Sequence, residues 1–473
     1  MVDVTVIGCG VIGAATAAML AQYKLSIVVL ERENDVAMGT TKANSAIIHA
    51  GYDPKPGTHM AQLNVRGNRL CKEWAKLLDV PCKEIGSLVL AFDAGDLATL
   101  QELYRRGMQN GVPDLRLLSQ QEVLELEPNL AKTVQGALLA PSAAIISPWE
   151  FCLALAETAV KNGVELRLSS KVTSIKRGEN CYRITMENGA VLETRYIVNA
   201  AGVHADEIHD MAAPHRFTTI PSRGEYYLMD KSEGALVDHV VFQCPNKNGK
   251  GVLVAPTVHG NLLVGPNAEP VADGDDVAVS AQGLAFVRTQ AAKSVPALNY
   301  RDAIRNFAGV RAVTDAEDFI LEQAAGAPGF IDLGGIKSPG LSCSPAIALE
   351  AVRLLCNCGL ELVKKGEYVF ARSRVRFKEK SSAEKALLVE RHPAYGRVIC
   401  RCETITEGEI LDALHSPIPP VSVDGVKRRC NPGMGRCQGG FCGPRVQQLL
   451  ARERGVREDA VVQDKEGSFI LVG

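Results

Sequence analysis

Four cysteines near the end of the chain stand in two tight pairs, Cys400 and Cys402 in "VICRCETIT" and Cys437 and Cys442 in "GMGRCQGGFCGPRV". Four thiolates so placed meet the ligand count of a [2Fe–2S] cluster. The C-x-C and C-x4-C spacings depart from the C-x2-C pairs of zinc sites, so zinc is the lesser alternative and free thiols a third. Cys430, in "KRRCNPGMG", is close enough to substitute for a ligand but falls outside the pairs, and reads as a neighbour of the cluster. Cys356 and Cys358 also form C-x-C, yet they end an apolar helix and read as packing residues.

A second kind of chemistry opens the chain. "VDVTVIGCGVIGAATAAML" is an apolar strand followed by Gly8, Gly10 and Gly13 in G-x-G-x-x-G spacing, with Val11 and Ile12 starting a helix of small residues. Gly8 permits the tight turn, Gly10 lets a pyrophosphate approach the backbone, and Gly13 lets helix and strand pack closely, while the helix N-terminus offers N–H groups to phosphates. A second strand, "LSIVVLERE", ends at Glu31 and Arg32, where an acidic side chain meets the adenosine ribose. Strand, glycines, helix, second strand and acid in this order define a dinucleotide site.

These residues need elements to hold them. After Glu31 the chain does not repeat a simple strand–helix rhythm. It runs into "MGTTKANSAIIHAGYDPKPG", whose small and polar residues, Thr40, Thr41, Asn44 and Ser45 among them, suit a backbone wrapped around a flavin. "TRYIVNAAGVHAD" is a strand ending at Asn199, Ala200, Ala201 and Gly202, and "GFIDLGGIKSPGLSCSPAIALEAV" reads as strand, glycine turn and helix. A helix starting near Leu341 directs its positive end at whatever precedes it, which favours negative charge on a reduced flavin. Gly335, Ile336, Lys337, Ser338 and Gly340 belong to that turn, and Val172 is a further candidate contact.

The three segments resemble the flavin-contacting regions of the D-amino-acid-oxidase-like superfamily of FAD-dependent oxidoreductases, over about residues 1 to 360. The resemblance implies an α/β fold. A Rossmann-like FAD domain would be built from 1–80, 145–215 and 326–365, with an inserted α+β, antiparallel-sheet substrate domain at 81–144 and 216–325. The C-terminal cysteine region is similar to the small helical iron–sulfur domain of bacterioferritin-associated ferredoxin, as found in the catalytic subunit of anaerobic glycerol-3-phosphate dehydrogenase. That domain would occupy 395–473, after a charged surface linker at 366–394. The capping pattern and apolar spacing of "ETITEGEILDALHSP" predict a helix inside it.

The same resemblance implies site roles. His49, in the "IHxG" segment, lies beside the flavin as proton acceptor or as a buried hydrogen-bonding group. Lys337 stands at the flavin edge or on a surface turn, and Arg311, in "FAGxR", faces the substrate or a structural carboxylate such as Asp315. Its planar fork suits a carboxylate or phosphate. Arg223 and Tyr226, in "IPSRGEYYLMD", lie on the substrate sheet. Tyr226 stands where aerobic glycerol-3-phosphate dehydrogenases carry histidine, and "RGEYY" looks more like 2-hydroxyglutarate oxidases. The expected activity is dehydrogenation of a small anionic secondary alcohol, sn-glycerol 3-phosphate first and a 2-hydroxy acid next. Amine or imino-acid oxidation and a non-catalytic electron-transfer subunit follow.

Composition agrees with small-molecule chemistry. In 473 residues, 46% hydrophobic and 22% charged, a net charge of −2 gives no broad attraction to nucleic acid or anionic membrane. Length suggests roughly two to four domains. No apolar run approaches the ~18 residues of a membrane span, and the N-terminus begins a strand rather than a signal peptide. A cytoplasmic enzyme is expected, reaching a membrane only through a partner, and its 14 cysteines are then free or metal-bound. A second redox subunit is expected to dock near the cluster on Lys427, Arg428, Arg429 and Arg436.

Overall fold

The computed structural model describes residues 1–245 and 251–471. The β-branched, apolar run Val2–Ile7 suits a strand covered on both faces. It lies inside a sheet ordered Val172–Arg177, Tyr182–Met186, Val191–Asn199, Val2–Ile7, Ile27–Leu30 and Glu165–Arg167. Val191–Asn199 forms a hairpin with Tyr182–Met186 through its first half. Its end, at Ile197–Asn199, pairs in parallel with Phe330–Gly334.

The nucleotide turn follows from sterics. Gly8 has φ +98°, and a Cβ on Gly13 would lie 2.0 Å from the Gly8 carbonyl oxygen, so the helix Val11–Leu20 seats against its strand only with glycine at both positions. The alanines of that helix are buried against the helices Pro148–Lys161 and Gly340–Asn357. The last of these begins one residue before the expected Leu341.

A second sheet runs Glu269–Pro270, Ser222–Met229, Leu262–Gly265, Leu253–Pro256, Val240–Gln243, Ser87–Ala91, Gly136–Ala140 and Arg116–Ser119, with Ala303–Arg311 also paired to Ser222–Met229. Two differences from expectation appear. The sheet is antiparallel except where its two sequence pieces meet, because Val240–Gln243 joins Ser87–Ala91 in parallel without a hairpin between them. Ile320–Gln323, expected within the 216–325 insertion, instead pairs with Phe330–Gly334 on the first sheet.

The segment 366–394 is more than a surface linker. Arg372 lies 2.8 Å from Glu157, Arg374 2.6 Å from Glu150 and Arg376 2.6 Å from Asp79. These partly desolvated pairs strap it across the helix Pro148–Lys161. The strand pair Val398–Cys400 and Ile405–Thr406 and the helices Glu407–Leu414, Val423–Cys430 and Gly443–Arg454 follow, around a core of Ile399, Ile405, Ile410, Val426, Val446 and Leu450. Thr406 and Glu409 form the expected capping box. Among the described residues no helix is long and apolar enough to cross a membrane.

Candidate active site and cluster site

A cavity of about 520 Å³ reaches from the nucleotide turn to the strands Ser222–Met229 and Ala303–Arg311 of the second sheet. Gly8, Gly10, Val11 and Ile12 line it at the turn, with Glu31 and Arg32 at the end of the second strand. Thr40, Thr41, Asn44 and Ser45 contribute from the wrapping segment, and Val172, Ala200, Ala201 and Gly202 from the far side. Ile336, Lys337, Ser338, Gly340 and Leu341 close it at the second helix start. Two expected contacts stand apart from it. Gly13 is consumed by helix–strand packing, and Gly335, at φ +62°, packs over Thr314.

The residues present fit FAD. Two helix N-termini, at Gly10 and at Pro339, open on the same cavity without a side-chain cap from their N-cap residues, leaving backbone donors for anionic groups. Val11 N–H donates to Thr41 Oγ1 at 3.0 Å, and Glu31 accepts from the N–H groups of Cys9 at 2.7 Å and Glu33 at 3.0 Å, which ties wrapping segment and acid to the turn. Burial pushes the Glu31 carboxyl above its ordinary value, against those two donors. Arg32 is held by Asp275 at 3.0 Å and by His204 at 2.9 Å. Both partners line the cavity and were missed in sequence, because Asp275 arrives from the second-sheet portion 243 residues away with no motif around it.

His49, Tyr226, Arg311 and Lys337 meet in this cavity. The His49 backbone is pinned: its N–H donates to Ser342 Oγ at 2.7 Å, and its carbonyl accepts from Asn64 at 2.7 Å and Asn68 at 3.1 Å. Its Nε2 lies 3.3 Å from Ser338 Oγ, and its ring centroid lies 5.8 Å from that of Phe242. Tyr226 stacks on Phe307 at 4.8 Å and brings its hydroxyl 3.2 Å from Ser45 Oγ. Arg311 Nη2 donates to the Asn267 carbonyl at 3.2 Å, and Lys337 Nζ lies 3.5 Å from the Ala316 carbonyl.

Strand alternation separates the two arginines. Arg311 stands opposite Ser222, so Ser222, Gly224 and Tyr226 share its face, whereas Arg223 and Glu225 point to the other. Arg223, expected at the substrate, is buried against Asp276 at 2.5 Å, Glu269 at 3.1 Å and Glu225 at 3.6 Å, outside the cavity lining. Gly224 is what admits Arg311, since a Cβ there would lie 2.6 Å from its Nη2.

The four cysteines meet in pairs. Cys402 Sγ is 3.7 Å from Cys437 Sγ, and Cys400 shares a hydrogen bond with Cys442 that lowers the Cys400 thiol below its ordinary value. Two sulfurs bound tetrahedrally to one metal at ~2.3 Å are about 3.8 Å apart, so Cys402 and Cys437 have the spacing of two ligands on one iron. Among the described residues no three His, Cys, Asp or Glu side chains gather as a single-ion site needs. Cys430 instead donates to the Val426 carbonyl in the domain core, where burial pushes its thiol up. Cys358 packs against Gln323, and Cys356 is exposed rather than packed.

Three of the four cations expected on a docking surface are turned inward. Arg428 and Arg429, 8% and 2% exposed, grip Asp35, and Arg428 also reaches Asp464 at 2.6 Å. Lys427 is desolvated, which lowers its ammonium to about 8. Asp35 lies four residues beyond Glu31, so these charges fasten the cysteine domain to the nucleotide-binding loop. Arg436 alone stays exposed, beside Asp302 at 3.2 Å.

Residues 3–354 match the DAO family of FAD dependent oxidoreductases, and the chain belongs to that family. Residues 398–452 match the BFD-like [2Fe-2S] binding domain. The protein is thus an oxidoreductase that takes FAD and a [2Fe–2S] cluster. A glycerol 3-phosphate dehydrogenase of Caloramator mitchellensis is 50% identical over 100% of this chain and 98% of its own length. The solved L-alpha-glycerophosphate oxidase of Mycoplasma pneumoniae superposes with a TM-score of 0.75 at 34% identity, covering 79% of this chain and 98% of that one. The mitochondrial L-2-hydroxyglutarate dehydrogenase of Homo sapiens is 27% identical over 74% of this chain and 87% of its own.

Proposed function

We propose that the protein oxidises sn-glycerol 3-phosphate to dihydroxyacetone phosphate, with electrons leaving through the cluster. The observation that carries this reading is a single cavity in which two cationic side chains, Arg311 and Lys337, accompany the His49 imidazole beyond a nucleotide turn. The 50% identical dehydrogenase, matched from end to end, supports the substrate.

Bound FAD supplies the hydride acceptor. His49, held by Ser342, Asn64 and Asn68, takes the hydroxyl proton as the carbinol carbon gives up hydride, leaving a carbonyl. Arg311 anchors the phosphate through its planar fork, oriented by the Asn267 carbonyl. Lys337 adds positive charge at the substrate or cofactor oxygen, and the Tyr226 hydroxyl, fixed by Ser45 and Phe307, orients the alcohol. Arg223 supports the strand rather than the substrate. The first sheet binds cofactor, the second covers substrate, and the acceptor of electrons is a second polypeptide in the cytoplasm or at the membrane.

Tyr226 favours one rival, an L-2-hydroxy acid whose second carboxylate would replace the phosphate. Anoxic bleaching of the flavin with sn-glycerol 3-phosphate, L-2-hydroxyglutarate, glycine and proline separates the readings. Rapid bleaching by the phosphate ester alone is expected; bleaching by L-2-hydroxyglutarate alone would install the rival.

A further inference from the structure

The two cysteine pairs differ in access. Cys400 and Cys442 are buried, whereas Cys402 and Cys437 are exposed, so one end of the cluster site opens to solvent. Beside Cys442 stands Phe441, 49% exposed, an unusual position for an apolar ring. Arg401, adjacent to Cys402, and Arg445 flank this ring, their guanidinium carbons 5.1 and 5.2 Å from its centroid. Neither arginine is in an ion pair among the described residues. The adjoining carboxylate, Glu403, is buried and neutralised by Lys231 at 2.7 Å and Lys378 at 3.6 Å, so it offers no opposing charge on the face.

We propose that this face, Phe441 between Arg401 and Arg445 over the exposed Cys402–Cys437 pair, is the docking surface for an acidic protein that accepts single electrons. An aromatic ring with arginines is the composition of an interface hot spot, and unpaired guanidinium groups select a partner with carboxylates around its redox centre. The proposal rests on the reading that electrons leave through the cluster. It moves the partner site from Lys427, Arg428 and Arg429, which are occupied inside the molecule, to residues that point outward. A bound [2Fe–2S] cluster would pass electrons singly, so the two electrons of each hydride taken from substrate would reduce two such acceptors by one electron each.

The test uses two one-electron proteins of opposite charge with the holoenzyme: plastocyanin, an acidic copper protein, and cytochrome c, a basic haem protein. Surface plasmon resonance without substrate should show binding of oxidised plastocyanin that weakens as salt rises, and little of cytochrome c. In Arg401→Glu/Arg445→Glu, plastocyanin binding and reduction should fall by about tenfold or more, while cytochrome c gains. Phe441→Ala should weaken binding with less change in salt dependence. Iron content, cluster spectrum and flavin bleaching by sn-glycerol 3-phosphate are measured on each variant, and Arg401→Gln/Arg445→Gln replaces the charge reversal if that variant loses its cluster. Unchanged plastocyanin binding in folded, cluster-loaded variants would overturn the proposal. So would a shifted cluster spectrum with equal loss toward both acceptors, or sedimentation showing that Phe441 closes a dimer of this chain. Failure of the phosphate ester to bleach the flavin would instead count against the substrate assignment, since the binding measurement needs no substrate.

Discussion

Asp35 and Arg429, 394 residues apart in sequence, are joined by two hydrogen bonds of 2.8 and 2.9 Å between buried side chains. One end of this contact belongs to the loop that leaves the nucleotide-binding strand, the other to the helix Val423–Cys430 of the cysteine domain. Flavin and cluster portions are therefore clamped rather than tethered.

Asp35→Ala leaves Arg428 and Arg429 buried without their shared counter-charge. A destabilisation of about 3–5 kcal/mol is expected for the contact between the two portions. Hydrogen exchange should show faster exchange in the helix Val423–Cys430, and a variant with unaltered protection there would count against the clamp.

The same carboxyl gives an acid dependence. Burial opposes its ionisation, but Arg429 and then Arg428 hold it down to about 2, below the ordinary 3.8. A depressed carboxyl contributes stability above its free value and loses it as pH falls toward the bound value. On the order of 2 kcal/mol should vanish between about pH 4 and pH 2. Urea midpoints recorded across this window should show that loss in the wild type and a smaller one in Asp35→Asn.

Gly224→Ala tests the anion anchor. The added methyl would lie 2.6 Å from Arg311 Nη2 and 2.8 Å from Pro266 Cβ, pushing the guanidinium from its place, so KM for the phosphate ester should rise about tenfold with FAD content intact, a loss of about 1.4 kcal/mol in binding. Steady-state kinetics with an artificial acceptor reads this directly. An unchanged KM would remove Arg311 from phosphate binding.

His49→Asn should slow flavin bleaching by a factor of about 10² to 10⁴ while leaving FAD bound, as loss of a proton acceptor does. Stopped-flow absorbance against pH checks it, since the wild-type pH dependence should flatten in the variant. A variant that bleaches at the wild-type rate would reduce His49 to a structural hydrogen-bonding residue.

Cys437→Ser should remove iron, retain FAD and keep substrate bleaching, whereas Cys430→Ser should retain iron, because the Cys430 thiol points into the domain core. Metal analysis and visible spectra distinguish them. Equal iron loss in both variants would return Cys430 to the ligand set.

The glycine turn, the Glu31 strand, the paired cysteines and the Thr406–Glu409 cap were legible in the sequence because each is local: its partners lie within a few tens of residues, and spacing alone carries the geometry. The sequence also named His49, Tyr226, Arg311 and Lys337, through resemblance. Tertiary structure decided the rest. Arg223 and Arg311 look alike in sequence, yet register and the two-residue period of strands send one into an acidic cluster and the other into the cavity. Lys427, Arg428 and Arg429 look like a basic surface until Asp35 and Asp464 are brought against them. Asp275 has no motif and reaches Arg32 only across folded space. A charge's role depends on which opposite charge shares its low-dielectric surroundings, and chain folding settles that over distances that local spacing does not encode.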